Sequence, residues 1–204
     1  MTTGANVPKQ VDHEQRRVQI AEALQRLTTR AGLEGVSLRQ VAAEAGMSMG
    51  SVQHYFKTKD EMLRFALEHR HKLRSERITA KVLAEGPPTP RSILRACLVE
   101  ILPRDPDSEA DFLIGVAYFI RAVADPAMAK AFGEGMPELL AFFAGQVRQA
   151  QEAGDVPAWA DPETEASLLW AIADSQGSEI LMGHRTPAEA ISTVDYYLDR
   201  LFSG

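Results

Sequence analysis

The chain has a single cysteine, Cys97, among its 204 residues. One thiol excludes an intramolecular disulfide and any metal site built on a cysteine cluster. It agrees with a reducing compartment. Long apolar runs are missing as well. The longest, Phe112 to Ile120, has nine residues and is closed by Arg121, whereas a membrane-spanning helix needs about 20. Met1 to Gln10 lacks the apolar stretch of a secretory signal. The expected setting is the cytoplasm, with no membrane as a partner. No segment shows the apolar–polar alternation of a strand. Nothing in the pattern calls for a cofactor or a metal.

Positive charge is in the minority, with 22 Lys and Arg against 28 Asp and Glu and a net of −6. The total hides a division. Residues 1–81 hold 14 basic and 9 acidic side chains, a net of +5, and residues 82–204 hold 8 and 19, a net of −11. Such asymmetry points to one part that meets a polyanion and another that does not.

What is present is helical periodicity. Ile20, Leu24, Leu27 and Ala31 recur at helical spacing in a first helix from about Asp12 to Ala31. Ser37 N-caps a short helix, Leu38 to Ala45, which Gly46 ends. Ser48 caps a third, to about Phe56, and a longer helix runs from about Lys59 to Leu83. Four later helices begin at a capping residue followed by proline: Thr89-Pro90, Asp125-Pro126, Asp161-Pro162 and Thr186-Pro187. Thr186 with Glu189 fits a capping box. Another helix covers about Ser108 to Ala124. Gly133, Gly135 and Pro137 should kink or split the helix that starts at Pro126. The predicted fold is all-α with about nine helices. Its parts are a flexible arm at 1–10, a region of short helices at 11–59 and a helical region at 60–204.

The strongest local signal is residues 37–56. Two short helices meet at Ala45-Gly46-Met47 with a third ahead of them, the layout in which the second helix of the pair enters the major groove. Gly50 and Ser51 are small enough for backbone to approach a duplex. Gln53 and His54 can bond base edges or phosphates, and Lys57 and Lys59 are placed to meet phosphates. The plain alternatives are that Tyr55 packs, that Phe56 is core, that Ser37 is only a cap, and that Arg16, Arg17 and Arg30 are a solvated face.

The run Val36-Ser37-Leu38-Arg39-Gln40-Val41-Ala42-Ala43-Glu44-Ala45-Gly46-Met47-Ser48-Met49-Gly50-Ser51-Val52-Gln53-His54-Tyr55-Phe56-Lys57-Thr58-Lys59-Asp60-Glu61-Met62-Leu63 resembles the DNA-binding segment of the TetR-type transcriptional repressors. The resemblance implies a homodimer that binds a palindromic double-stranded DNA operator and releases it when a small-molecule inducer enters the C-terminal domain. Carried over, Ser37 and Arg39 look like contacts from the second helix. Ser48, Met49, Gly50, Ser51, Gln53, His54 and Tyr55 occupy the recognition helix, and Lys59 matches a basic residue that meets the backbone. Many members have Tyr where this chain has Gln53. That change replaces a phosphate contact with an amide able to read a base. The ending Val194 to Leu201 is similar to the betaine-pathway repressor branch.

In the C-terminal part, Phe112, Tyr118, Phe119, Met128, Phe132, Phe143 and Trp170 could line a ligand pocket or simply make a core. Asp174 lies among apolar residues and needs a partner such as Arg121 or a cationic ligand, unless it faces solvent or a dimer seam. The last two helices read as an interface: Leu168, Ile172, Ser175 and Met182 on one, and Ile191, Val194, Leu198 and Leu201 at spacing 3, 4, 3 on the other.

Enzyme readings are weak. Gly46-Met47-Ser48-Met49-Gly50 matches the G-x-S-x-G elbow, but an amphipathic helix precedes it where a strand is needed. Glu68 and His71 have the spacing of a di-iron motif, yet no second Glu-x-x-His exists. A helical binding protein that never touches DNA leaves the basic N-terminal excess unexplained.

Overall fold

The computed structural model describes residues 9–32, 35–84 and 86–203, without the side chains of 9–12, 127, 128 and 131–134. Nine helices and no strand make up the described residues: α1 (Lys9–Ala31), α2 (Leu38–Glu44), α3 (Met49–Tyr55), α4 (Lys59–Ala84), α5 (Pro90–Ile101), α6 (Pro106–Ala124), α7 (Pro126–Ala153), α8 (Pro162–Leu181) and α9 (Pro187–Leu201). The expected arm lies outside the described residues up to residue 8, and Lys9 and Gln10 already belong to α1. The chain forms two compact units, the first ending at His71 and the second beginning at Lys72; α4 contributes to both.

Capping chemistry sets the helix starts. Thr89, Asp105, Asp161 and Thr186 each accept the N–H three residues on, at 3.1, 2.8, 2.9 and 3.3 Å. A proline follows each of them, where its missing N–H costs nothing. Asp105-Pro106 is a fifth cap–proline pair, and it starts α6 two residues ahead of the Ser108 read from periodicity. The Thr186–Glu189 box is present, with the Glu189 carboxylate accepting the Thr186 N–H at 2.8 Å.

One helix departs from expectation. α7 runs unbroken through Gly133, Gly135 and Pro137. Proline removes a single i→i−4 bond. The remaining bonds and the apolar face carried by Phe143, Ala144, Val147 and Ala150 keep the helix whole.

In the first unit, Ile20 and Leu24 of α1, Val41 of α2, Val52 of α3, Phe56, and Met62 and Leu63 of α4 are completely buried. In the second, α5, α7, α8 and α9 share one core through Leu94, Leu98, Phe143, Val147, Leu169 and Leu198. Ion pairs frame it. Arg95 holds Asp195 in a two-pronged bond of 2.6 and 2.9 Å, and Arg91 pairs with Asp199. Two carboxylates are buried near the second half of α4. Glu100 accepts Arg77, Lys81 and Arg104 at 2.5, 2.5 and 2.8 Å, and Asp111 accepts Arg77 at 2.8 Å.

Candidate nucleic-acid interface

Residues 37–56 build two short helices whose ends are satisfied locally. The Ser37 hydroxyl oxygen accepts the Gln40 N–H at 3.3 Å. Gln40 Oε1 accepts the Ser37 N–H at 2.8 Å and its hydroxyl at 2.7 Å. The Ser37 side chain is therefore engaged as a cap. After α2, Gly46 takes φ +66°, the left-handed region that glycine enters without a Cβ penalty. Its N–H donates to the Ala43 carbonyl at 3.1 Å, and the Met47 N–H reaches Ala42 at 2.9 Å. That pair of bonds closes α2 and turns the chain sharply. Ser48 then accepts the Ser51 N–H at 3.1 Å and starts α3. A serine spent on a cap, with a helix and not a strand before it, removes the hydrolase elbow reading.

With only seven residues, α3 cannot hold its shape alone. Val52 and Phe56, both at 0% exposure, clamp it from beneath. Around it the basic residues of α1 serve as framework. Gln19 Nε2 donates to the Ala45 carbonyl at 2.8 Å, fixing the turn. Arg26 and Arg30 grip Glu44 at 2.8 and 2.6 Å, and their bonds hold that carboxyl below the usual carboxylate range. The Arg17 guanidinium lies over the Phe56 and Phe65 rings, at 5.0 and 4.2 Å from their centres. Arg17 and Arg30 are thus structural rather than a merely solvated face.

The outward side of α3 presents Met49, Gly50, Gln53 and His54, all exposed, with Ser51 and Tyr55 half-buried. The Gln53 amide makes no bond within the described chain, so its donors and acceptor face water. Arg39 is exposed on α2. The Lys57 ammonium donates to the Gln53 carbonyl at 3.0 Å, finishing α3, and the Lys57 N–H donates to Glu61 at 2.8 Å. Lys59 opens α4 half-buried. One neighbour escaped the sequence reading. His13 of α1 stands 4.6 Å from the Tyr55 ring and 6.0 Å from that of His54. Periodicity reports which residues share a helix face, and this contact joins two helices.

Residues 20–65 match the family described as bacterial regulatory proteins, tetR family, and residues 90–203 match BetI-type transcriptional repressor, C-terminal. The regulator PksA of Bacillus subtilis is 34% identical over 174 residues, covering 82% of this chain and 80% of that protein. The chain belongs to the TetR family of transcriptional regulators. The BetI regulator of Burkholderia thailandensis is 41% identical over 91 residues, 44% of this chain and 46% of that protein. A solved transcriptional regulator of Saccharomonospora viridis, in complex with choline, superposes with a TM-score of 0.80 at 22% identity, covering 91% and 96% of the two chains. These relatives are transcriptional regulators, and this TetR-family chain is a DNA-binding regulator and not an enzyme. No described helix is long and apolar enough to cross a membrane.

Among the described residues, those read as ligand-lining in this regulator do not line the cavity between α7 and α8. Phe112, Tyr118 and Phe143 are buried, Trp170 packs against the second unit's core, and Phe119 is 56% exposed. The Phe112 ring lies so close to α8 that a Cβ on Gly177 would meet its Cε2 at 2.2 Å. The side chains of Met128 and Phe132 lie outside the described residues. A cavity of about 290 Å³ between α7 and α8 is lined instead by Pro137, Leu140, Ala141, Ala144, Arg148, Glu163 and Ser167. Asp174 stands at the surface of α8, where partial desolvation pushes its carboxyl above the ordinary range. Arg121 is half-buried on α6. Cys97 is buried, which pushes its thiol up to about 11 and leaves it unreactive.

The expected interface residues divide. On α8, Leu168 and Ser175 are exposed and Ile172 is half-buried, and Met182, which caps the helix, is exposed. On α9, Val194, Leu198 and Leu201 are buried in the subunit's own core, and Ile191 packs against it. A helix with one apolar stripe satisfies its own subunit first, so the 3, 4, 3 seam is an internal one.

Gly50 has no internal reason to be glycine. A Cβ there would meet only Ser48 Oγ, at 4.0 Å. Gly50→Ala should therefore stabilise α3 by about 0.5–1 kcal/mol. If duplex backbone packs on that spot, the same methyl group should weaken operator binding at least several-fold. Thermal melting and fluorescence anisotropy together check the pair of signs. Undiminished affinity would place Gly50 away from the DNA.

Proposed function

We propose that this regulator is a repressor that binds a palindromic operator as a homodimer, acts in the cytoplasm and is released by a small-molecule inducer. The observation that carries the reading is the outward face of α3: four exposed residues, two of them bearing unspent hydrogen-bonding groups, on a short helix clamped by α1 and α2. Ser48, Met49, Gly50, Ser51, Gln53, His54 and Tyr55 form the recognition helix, with Gln53 and His54 as base or phosphate readers. Ser37, Arg39, Lys57 and Lys59 flank it as backbone contacts. The exposed stripe of Leu168, Ala171 and Ser175 on α8, with Met182 at its C-cap, suits a partner copy. Dimerisation doubles the modest basic surface and sets two recognition helices about one helical turn of DNA apart. The inducer acts by population shift, binding better to dimers whose spacing does not fit the half-sites.

The direct test is a gel shift with the upstream region of the chain's own gene, comparing parent and the Gln53→Ala, His54→Ala double variant. Each good base contact is worth about 1–3 kcal/mol. Two such contacts sum to about 2–6 kcal/mol, so the variant should lose at least roughly 30-fold in affinity, and binding of the parent should fall steeply with salt. Equal affinity in both would show that α3 is not the reading helix.

A further inference from the structure

We propose that His13 of α1 is a DNA-contacting residue that grips a phosphate on the wall of the major groove, held in place by the Tyr55 ring. The inference rests on the assignment of α3 as the recognition helix. An α-helix with its side chains is about 10–12 Å across, and the major groove is about 12 Å wide. A helix seated in that groove fills it from wall to wall. A group on the helix meets the floor, where the bases are. A group supplied by a neighbouring element, one ring's thickness to the side, meets the phosphate ridge.

His13 has that second position. Its ring centre is 4.6 Å from Tyr55, edge to face at 62°, and 6.0 Å from His54. Tyr55 and His54 are themselves 5.2 Å apart and nearly perpendicular, at 82°. The three rings form a small wall beside the C-terminal end of α3. Tyr55 is half-buried and forms its inner side, while His13 and His54 are exposed. Edge-to-face contacts fix ring orientation at little entropic cost, since each ring has two rotatable bonds. An imidazole always carries at least one N–H donor, and phosphate oxygens accept most protein–DNA hydrogen bonds. The chemistry recognised is therefore a backbone phosphodiester, with no base preference, and Tyr55 is a positioning residue for both imidazoles.

Two single variants of the full-length protein separate contact from packing: His13→Phe, which keeps a ring and loses the N–H, and His13→Gln, which keeps a donor and loses the ring. Affinity is read by fluorescence anisotropy on operator and on scrambled DNA, and folding by thermal melting. The expected result is a three- to tenfold loss for His13→Phe on both DNAs and a smaller loss for His13→Gln, both with melting within a few degrees of the parent. Full affinity in His13→Phe overturns the contact. Equal losses in His13→Phe and His13→Gln also overturn it, since the effect then follows shape and not the donor. A loss on operator alone assigns His13 to bases and overturns the phosphate wall. If the Gln53, His54 double variant still binds normally, the recognition-helix assignment itself fails, an outcome independent of these two.

Discussion

Replacing Glu100 by alanine is expected to lower the stability of the second unit by about 3 kcal/mol, the lower end of the range for removing one partner of a buried ion pair. The carboxylate is 2% exposed and holds three cations, two from α4 and one just beyond α5. Removing it leaves Arg77, Lys81 and Arg104 facing one another. They are 35, 45 and 20% exposed, so water relieves part of the repulsion, and the lower end applies. Burial alone would raise the Glu100 carboxyl, but the bonds from Lys81 and Arg77 outweigh it and hold it below the ordinary glutamate value. A carboxylate depressed in the folded state contributes stability that is fully present above its unfolded value, about 4.3, and is lost as pH falls through the folded one. Glu100→Gln should therefore weaken the protein at neutral pH and flatten the acid limb of its stability curve. Urea unfolding midpoints measured from pH 7 down to pH 3 check both. A Glu100→Ala midpoint equal to the parent's would mean that the cations find full solvation without it.

Glu100 also marks where sequence reading stopped. It sits between Val99 and Ile101 in an apolar helix, and its partners on α4 lie 19 and 23 residues earlier. Nothing in helical periodicity joins such positions. Four cap–proline starts are legible because each is a local contract between a side chain and an N–H three residues away, and Asp105-Pro106 carries the same signal. The helix-turn-helix was legible for the same reason, since Ser37, Gly46 and Ser48 act within a few residues of themselves. The apolar stripe of α9 reports that a face is buried and leaves the burying partner unnamed. Ile191, Val194, Leu198 and Leu201 turned inward, and the outward stripe of α8 lay on the other side of a helix that is apolar on two. The candidate ligand residues carry the same ambiguity: large aromatics fill a core and line a cavity with equal ease, and the Phe112 ring lies against Gly177. The net charge of the first 81 residues pointed correctly to DNA, although Arg17, Arg26 and Arg30 are committed to framework contacts.

Phe56→Ala is expected to abolish operator binding while leaving the second unit folded. Phe56 is at 0% exposure, ends α3, tilts against Phe65 at 5.5 Å and carries the Arg17 guanidinium on its face. Truncating a buried phenylalanine costs about 3–5 kcal/mol. The first unit ends at His71, and domains near that size keep only a marginal surplus over chain entropy. A loss of that size consumes most of it. Because α3 is too short to persist without its clamp, the reading face should be the first thing lost. Hydrogen exchange should rise across 38–56 with the protection of α8 and α9 retained, and the oligomeric state should not change. Phe56→Leu separates two contributions. It keeps most of the buried volume but loses the ring beneath Arg17, so it should cost about 1–1.5 kcal/mol and reduce binding only modestly. Operator affinity within tenfold of the parent in Phe56→Ala would show that α1 and α2 hold α3 without this ring, and that the aromatic clamp is not what positions the recognition helix.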